Sequence, residues 1–386
     1  MDTIVIVLNR SQYKVADITK FKPHFKPINA MDTNQRIQFA NEYKCQRSYK
    51  QNPSVELRRN GTIYPFLTIY ERLRRIDHQC DLHISVSLPK LLYGHSFQNV
   101  YKDNAEQILG TLVKRLADMG IATTKTNLRN GHINTVHFAE NILMPTEQHL
   151  RMFLSRMSQA DIGAWFEKND RHYSNDGHAV RFHSDIFQIV FYMKYYDLFL
   201  AKSRSIDKKR SKQEVDIAIK LKTENRIPPV LRMEVRFAGV RSVTSHFEAV
   251  LGINKKRWLF ADVLDQNLGL KFLVYYFNKI KEDELNFSLL STFSNEDICR
   301  IVLEKYKEID FSLVTEALGM FFLLHTLGVK DLREFVKLRK SHATWYRKRR
   351  KLVEFIHRYV KPNSEIIDIV LKGLKADSKQ LKLLHD

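Results

Sequence analysis

Residues 230–237, VLRMEVRF, alternate without a break. Leu231, Met233, Val235 and Phe237 share one side of an extended chain, and Arg232, Glu234 and Arg236 share the other. A strand of this kind can bury only one face, so it calls for a sheet laid on a core with a charged face turned away from it. Residues 81–88, DLHISVSL, repeat the pattern, with Leu82, Ile84, Val86 and Leu88 on the apolar side and His83, Ser85 and Ser87 opposite. In residues 131–143, GHINTVHFAENIL, a period of two puts His132 and Asn134 on one face with Val136, and His137 on the other.

A further strand is expected within residues 181–198, RFHSDIFQIVFYMKYYDL, where apolar residues dominate from 186 to 191. Residues 171–183 before it read as a loop. Tyr192, Lys194 and Asp197 arrive at the strand's end, which gives one place a phenol, an amine and a carboxylate. One reading makes Tyr192 a nucleophile, with Lys194 steadying its phenolate and Asp197 holding a metal or placing a proton. The plainer alternative is an aromatic strand edge with a solvated Lys and Asp.

Between the strands, residues 103–120 form an amphipathic helix on spacing, with Ala105, Ile108, Leu109, Leu112, Leu116 and Met119 on one stripe and Gly120 as the stop. Helices are also expected over 146–157 and 159–167, and Asn60-Gly61 marks a hairpin. From about residue 254 the periodicity becomes helical, over 260–281, 295–307 and 312–327. Gly328 ends a helix, 331–340 make another, and Ser341 caps a third that carries the run Arg347 to Lys351. Trp345, Leu352, Ile356 and Tyr359 share that helix's apolar face. A short helix followed by a basic one suggests a helix-turn-helix, with Arg347, Lys348, Arg350 and Lys351 on DNA; a solvated basic face is the alternative.

Charge decides the class of partner. Lys and Arg number 63 against 43 Asp and Glu, a formal charge of +20, which points to a polyanion, with nucleic acid first and an anionic membrane surface second. Cys45, Cys80 and Cys299 are far apart and suit a reducing cytoplasm, and neither a signal peptide nor a spanning helix is expected. On the strand faces, His83, His132, Asn134 and Glu234 offer ligands for Mg²⁺ or Mn²⁺, the imidazoles favouring Mn²⁺. Arg232 and Arg236 either bind phosphate or pair with Glu234.

In order and spacing, SLPKLLYGHSFQN (87–99), HINTVHFAE (132–140), FYMKYYDL (191–198) and LRMEVRF (231–237) resemble the gene II/X family of replication proteins from filamentous phages and related plasmids. The resemblance covers residues 80–260. It implies an α+β chain: an antiparallel HUH-like sheet with flanking helices over 1–255, then a mainly helical DNA-binding domain over 256–386. It also implies a rolling-circle initiator that nicks one strand of an origin through a 5′-phosphotyrosine on Tyr192. Lys194 and Asp197 then complete the nicking motif, and Glu234 takes the acidic position. Single- and double-stranded DNA, a host helicase and a host polymerase are the implied partners, in the cytoplasm of a bacterial host. Two departures stand out: Ser96 where Asn is common, and Asn134 where relatives tend to have Asp. The rival class is a non-catalytic, sequence-specific DNA-binding regulator.

Overall fold

The computed structural model describes residues 1–23, 46–51, 62–73, 78–100, 102–162, 170–174, 177–200, 212–224, 226–264, 266–290, 304, 311–359 and 365–375. Its strands are β1 (Thr3–Asn9), β2 (Lys14–Val15), β3 (Lys22–Pro23), β4 (Gln46–Gln51), β5 (Phe66–Leu73), β6 (His78–Ser87), β7 (Ile121–Ala122), β8 (His132–Leu143), β9 (Asp170–Ser174), β10 (Ala179–His183), β11 (Phe187–Met193) and β12 (Val230–Ala238). Ten of them form one sheet in the order β3-β4-β5-β6-β1-β8-β12-β11-β10-β9, every neighbouring pair antiparallel. β2 and β7 make a separate two-stranded ribbon. The architecture is α+β, as expected.

The apolar face of the sheet is the one the alternation marks. Ile4, Ile6, Ile84, Phe138, Ile142, Ile189, Phe191, Met233, Val235 and Phe237 are all buried in one core. Helices α1 (Leu88–Tyr93), α2 (Ala105–Asp118), α3 (Lys125–Arg129) and α4 (Glu147–Gln159) follow the first strands. In α2, Ile108, Leu109, Leu112 and Leu116 are buried, the stripe read from the sequence. α5 (Lys194–Leu200) and α6 (Lys212–Thr223) flank the end of β11, and α7 (Val240–Leu251) follows β12. α1 ends at Gly94, whose φ of 77° takes the left-handed conformation that a residue without Cβ adopts without strain.

Two expectations are corrected here. The loop expected over 171–183 holds β9 and β10, which pair antiparallel around a turn containing Gly177; the Asn-Asp-Gly signal at 175–177 was the hairpin cue. The core also runs past residue 255. The 260–281 helix is divided into α8 (Phe260–Val263) and α9 (Gln266–Glu282), and Phe272 of α9 stacks on Phe138 at 5.1 Å and lies 5.3 Å from Phe237. Beyond it come α10 (Glu284–Leu290), α11 (Phe311–Arg339), α12 (His342–Tyr359) and α13 (Glu365–Lys375). α13 returns to the sheet so closely that a Cβ on Gly373 would collide with the Ile142 side chain. A boundary at 255 therefore cuts through one core, because α9 and α13 supply its cover.

A second core does exist beside it. Leu285 and Leu289 of α10, Met320, Phe321, Leu324, Leu332 and Val336 of α11, and Trp345, Leu352, Phe355 and Ile356 of α12 pack together. α11 is broken at Gly328, where φ is 83°, so the expected stop is a kink between two helical halves. The hairpin tip at Asn60-Gly61 and the helix over 295–307 lie outside the fully described residues, although β4 and β5 on either side of the tip pair antiparallel.

A fragment ending at residue 255 would lose Phe260, Phe272, Phe277, Ile366 and Val370 from the core. Burial contributes about 1.5–3 kcal/mol for each such side chain, so the combined loss rivals a whole net stability of about 5–15 kcal/mol. Limited proteolysis and urea titration of that fragment should find no cooperatively folded unit, whereas the full chain resists both.

Candidate functional site

The polar face of the sheet is assembled by register. Tyr192 of β11 lies opposite Arg232 of β12, which lies opposite Asn141 of β8. One pair of residues along, Val190, Glu234 and Ala139 make the next row, and Gln188, Arg236 and His137 the one after. Residues opposed across a ladder point to the same side. Tyr192, Glu234, Arg232, Arg236 and His137 therefore share one patch.

The phenol and the carboxylate are in direct contact. The Tyr192 hydroxyl donates to Glu234 Oε1 at 2.7 Å, and Arg232 Nε donates to the same oxygen at 2.8 Å. Arg236 Nε donates to Glu234 Oε2 at 2.8 Å. Two guanidiniums overcome the cost of burying Glu234 and hold its carboxyl well below the usual carboxylate range. Burial, with the Glu234 charge beside it, pushes the Tyr192 phenol well above its ordinary value despite the opposing pull of Arg232. At rest Tyr192 is a neutral phenol hydrogen-bonded to a neutralised carboxylate.

Arg232 is only 1% exposed and every side of it is engaged. Besides Glu234 it reaches Asp2 Oδ1 at 3.1 Å, Asn141 Oδ1 at 3.0 Å and the Ser96 carbonyl at 3.2 Å. That saturation removes it from the phosphate contacts expected of it and makes it the internal counter-ion of the site. Arg236, with its side chain 25% exposed, keeps a side open to solvent. Glu234 likewise fails as a metal ligand, since both oxygens are occupied by Tyr192 and the two arginines.

Lys194 does not turn to the phenol. Its buried Nζ donates to Ser96 Oγ at 2.7 Å and lies 5.5 Å from the Phe97 ring centre. Burial, with Arg232 nearby, lowers its pKa to about 8. Ser96 Oγ and the Ser96 amide both donate to Glu214 Oε1, at 2.5 and 3.0 Å, and Lys90 Nζ binds Glu214 Oε2 at 2.8 Å. Glu214, in the first turn of α6, was missed because it follows a basic polar run that reads as solvated surface. The adjacent turn is held as firmly: Asn141 Nδ2 donates to the Phe97 carbonyl at 3.0 Å, and Asn99 Nδ2 to Glu140 Oε1 at 2.5 Å. Burial raises Glu140 to about 7. Asp197 stays near enough for its charge to raise the phenol further.

The histidines are distributed differently from the period-two reading. β8 carries a register shift opposite Val5 and Ile6, so Thr135 and Ile133 are the partners and Asn134 is the extra residue. The bulge returns His137 to the side of Arg236, where burial first and the Arg236 charge second lower its pKa to about 4. His137 is therefore part of the patch and not its opposite face. His83 and His132 both pair with Val7, from its two sides, two strand spacings or about 10 Å apart. His83 packs edge-on against Tyr70 at 4.6 Å, and Asn134 Nδ2 donates to Thr135 Oγ1 at 3.4 Å. Neither joins Glu234. Among the described residues no three His, Cys, Asp or Glu side chains converge as a metal-binding group.

The basic helix is mostly engaged in ion pairs with acidic residues of neighbouring helices at the surface. Lys348 and Lys351 reach Glu316 at 2.6 and 3.3 Å, and Arg349 reaches Asp283 at 3.0 Å. Arg350 has a distant, exposed partner in Glu354 at 3.9 Å, and Arg347 is exposed. Lys348 and Lys351 thus brace α12 against α11, while their side chains stay 27% and 45% exposed. Among the described residues no helix is long and apolar enough to cross a membrane. Comparison of the chain with protein-family models, curated proteins and solved structures gives no match.

Against burial, the charges of Lys90 and Lys194, with hydrogen bonds from Lys90 and Ser96, hold the Glu214 carboxyl down at about 2, against 4.5 for the free group. A carboxylate with a lowered folded pKa stabilises the fold above its unfolded value and loses that contribution as pH falls through the folded one. Glu214→Gln should therefore flatten the loss of stability between about pH 4.5 and 2, while costing about 3–5 kcal/mol near neutrality because Lys90 and Lys194 are left without a buried counter-charge. Urea midpoints measured across that range decide the matter.

Proposed function

We propose that the chain is a rolling-circle replication initiator with an HUH-like nicking domain, in which Tyr192 is the nucleophile. The observation that supports this most is the contact of the Tyr192 hydroxyl with Glu234 at 2.7 Å, next to the partly exposed Arg236 on a polar sheet face of a chain with charge +20. In this reading the exposed edge of Arg236 would receive a phosphate of a DNA strand beside the phenol. In the proposed step the Tyr192 oxygen bonds to phosphorus and the P–O3′ bond breaks. The phenol's proton ends on the departing 3′-oxygen, leaving a free 3′-hydroxyl and a 5′-phosphotyrosine. One phosphodiester replaces another, so the same site can reseal the strand.

Mg²⁺ or Mn²⁺ remains in the proposal as an ion that would polarise the phosphodiester. Glu234 does not fit as its ligand. His83 and His132, about 10 Å apart across Val7 and with His83 packed on Tyr70, do not converge as a ligand pair either, and no step is drawn through the ion. Asp197 is the second carboxylate near the phenol. The proposed partners are single- and double-stranded origin DNA, with a host helicase and polymerase acting on the nicked product in a bacterial cytoplasm.

The non-catalytic regulator has one observation in its favour: the phenol is held protonated and Glu234 is neutralised, the reverse of an activated pair. The two readings separate on a covalent product. Incubated with single-stranded origin DNA and Mn²⁺, the wild type should give a protein–oligonucleotide adduct whose peptide maps to Tyr192. Tyr192→Phe should give none while its affinity stays within a few-fold, because affinity rests on basic contacts. An adduct from Tyr192→Phe overturns the assignment of Tyr192, and no adduct from the wild type with a full set of metals removes the nuclease reading.

For duplex binding, Arg347→Ala with Arg350→Ala should flatten log K against log salt by about 0.9 for each phosphate that is no longer neutralised. Lys348→Ala with Lys351→Ala should instead lower the melting temperature and leave that slope nearly unchanged, since both lysines are spent on Glu316. A slope that follows the lysines would return phosphate binding to them.

A further inference from the structure

The contacts around Tyr192 close on themselves. The Tyr192 hydroxyl and Arg232 Nε meet on Glu234 Oε1, at 2.7 and 2.8 Å, and Arg232 Nη1 donates to the Ser96 carbonyl at 3.2 Å. Ser96 Oγ receives Lys194 Nζ at 2.7 Å, and Lys194 stands two residues after Tyr192 in the chain. Tyr192, Glu234, Arg232, Ser96 and Lys194 thus form a ring, part covalent and part hydrogen-bonded. Outside the ring, Glu214 fixes Ser96 by both its amide and its hydroxyl and is itself fixed by Lys90.

We propose that Ser96, Lys194 and Glu214 are positioning residues that set the Tyr192 hydroxyl against Glu234, with Lys194 acting through Ser96 and not on the phenolate. This rests on the reading of Tyr192 as nucleophile. Three observations carry it. Lys194, Ser96 and Glu214 are 6%, 4% and 1% exposed, too enclosed to meet a DNA strand. The amine's hydrogen bond goes to a hydroxyl with its own carboxylate acceptor, which makes Lys194 a link in a chain. The Ser96 turn is tied besides to β8 and β12 by Asn141 and Arg232, so a displacement of Ser96 is passed to the guanidinium that shares Glu234 with the phenol.

A strap of this kind predicts equivalence. Breaking the ring at any member should misplace the same hydroxyl, and an error of about 1 Å in a reacting group can cost on the order of 10²-fold in rate. A lysine acting directly on the phenolate predicts the opposite, a loss at Lys194 alone.

The test uses the full chain with Ser96→Ala, Lys194→Met, Glu214→Gln, the paired variants, and Ser96→Thr, which restores a hydroxyl. Three quantities are read: the single-turnover rate of adduct formation with a single-stranded origin oligonucleotide and Mn²⁺, the Kd for that oligonucleotide, and the ring ¹³Cζ resonance of Tyr192, assigned by its absence in Tyr192→Phe. Expected are similar losses of about 10²-fold for the three single variants, pairs no slower than the singles, Kd unchanged within about twofold, recovery in Ser96→Thr, and a moved Tyr192 resonance in each slow variant. Wild-type rates for Ser96→Ala and Glu214→Gln beside an inactive Lys194→Met overturn the proposal and return Lys194 to the phenolate. Should Glu214→Gln fail to fold, Ser96→Ala decides alone, since it removes one oxygen. If the wild type forms no adduct, the nuclease reading fails by itself, and the resonance still judges the positioning: moved in Ser96→Ala it supports the strap, unmoved it overturns it.

Discussion

A guanidinium buried to 1% exposure governs this molecule. Taking Arg232 out of water costs several kcal/mol even after relaxation, so the groups around it have to meet its charge. Asp2 and Glu234 supply two negative charges, and Asn141 and the Ser96 carbonyl supply neutral acceptors. These acceptors come from the start of the chain, the turn after α1, and strands β8 and β12. The sheet order that brings β1, β8, β12 and β11 side by side is therefore also the order that satisfies Arg232. Buried ion pairs are weak evidence for net stability. What this one fixes is geometry, since a misregistered β12 would place an unpaired charge in the core.

The same balance sets the state of the phenol. Arg232 and Arg236 bring two positive charges to Glu234, while Asp2 and Glu234 bring two negative ones, so the patch is close to neutral before Tyr192 is counted. A neutral patch in a poorly solvated place gives a phenol no reason to ionise, and its pKa rises. His137 obeys the same rule from the other side: with Arg236 beside it and little water, it stays uncharged down to about pH 4. The site is quiet at neutral pH by construction, and the proposed reaction would depend on what a bound phosphate does to the partly exposed Arg236.

The sequence was most informative where period and burial coincide. The alternation of 231–237 named the buried and polar sides of β12 correctly, and the stripe in 105–118 did the same for α2. Tyr192 and Glu234 were singled out separately, on chemistry alone; only the pairing of β11 with β12 brings them together. The failures have physical causes. A single bulged residue at Asn134 resets the period of β8, so counting by twos puts His137 on the wrong face. Glu214 carries no local signal, since its value comes from Ser96 and Lys90, more than a hundred residues earlier in the chain. Asp2 and Asn141 were invisible for the same reason, as acceptors for a charge whose burial no window of sequence reveals.

Charge shows the difference between amount and allocation most plainly. The excess of +20 is a property of composition and argues for an anionic partner on its own. Which cations stay available to an anion is a property of the fold. Arg232 is spent on the core, Lys194 and Lys90 on Ser96 and Glu214, and Lys348, Arg349 and Lys351 on acidic residues of neighbouring helices. A basic run of five residues at 347–351 thus leaves Arg347 and Arg350 as its least engaged charges, spaced by three so that they lie on one side of α12. An ion pair between lysine and a partly exposed glutamate contributes only about 0–1 kcal/mol, and Lys351 stays 45% exposed beside Glu316, so the pairing biases which cations of the run would meet an anion without withdrawing any of them from the surface.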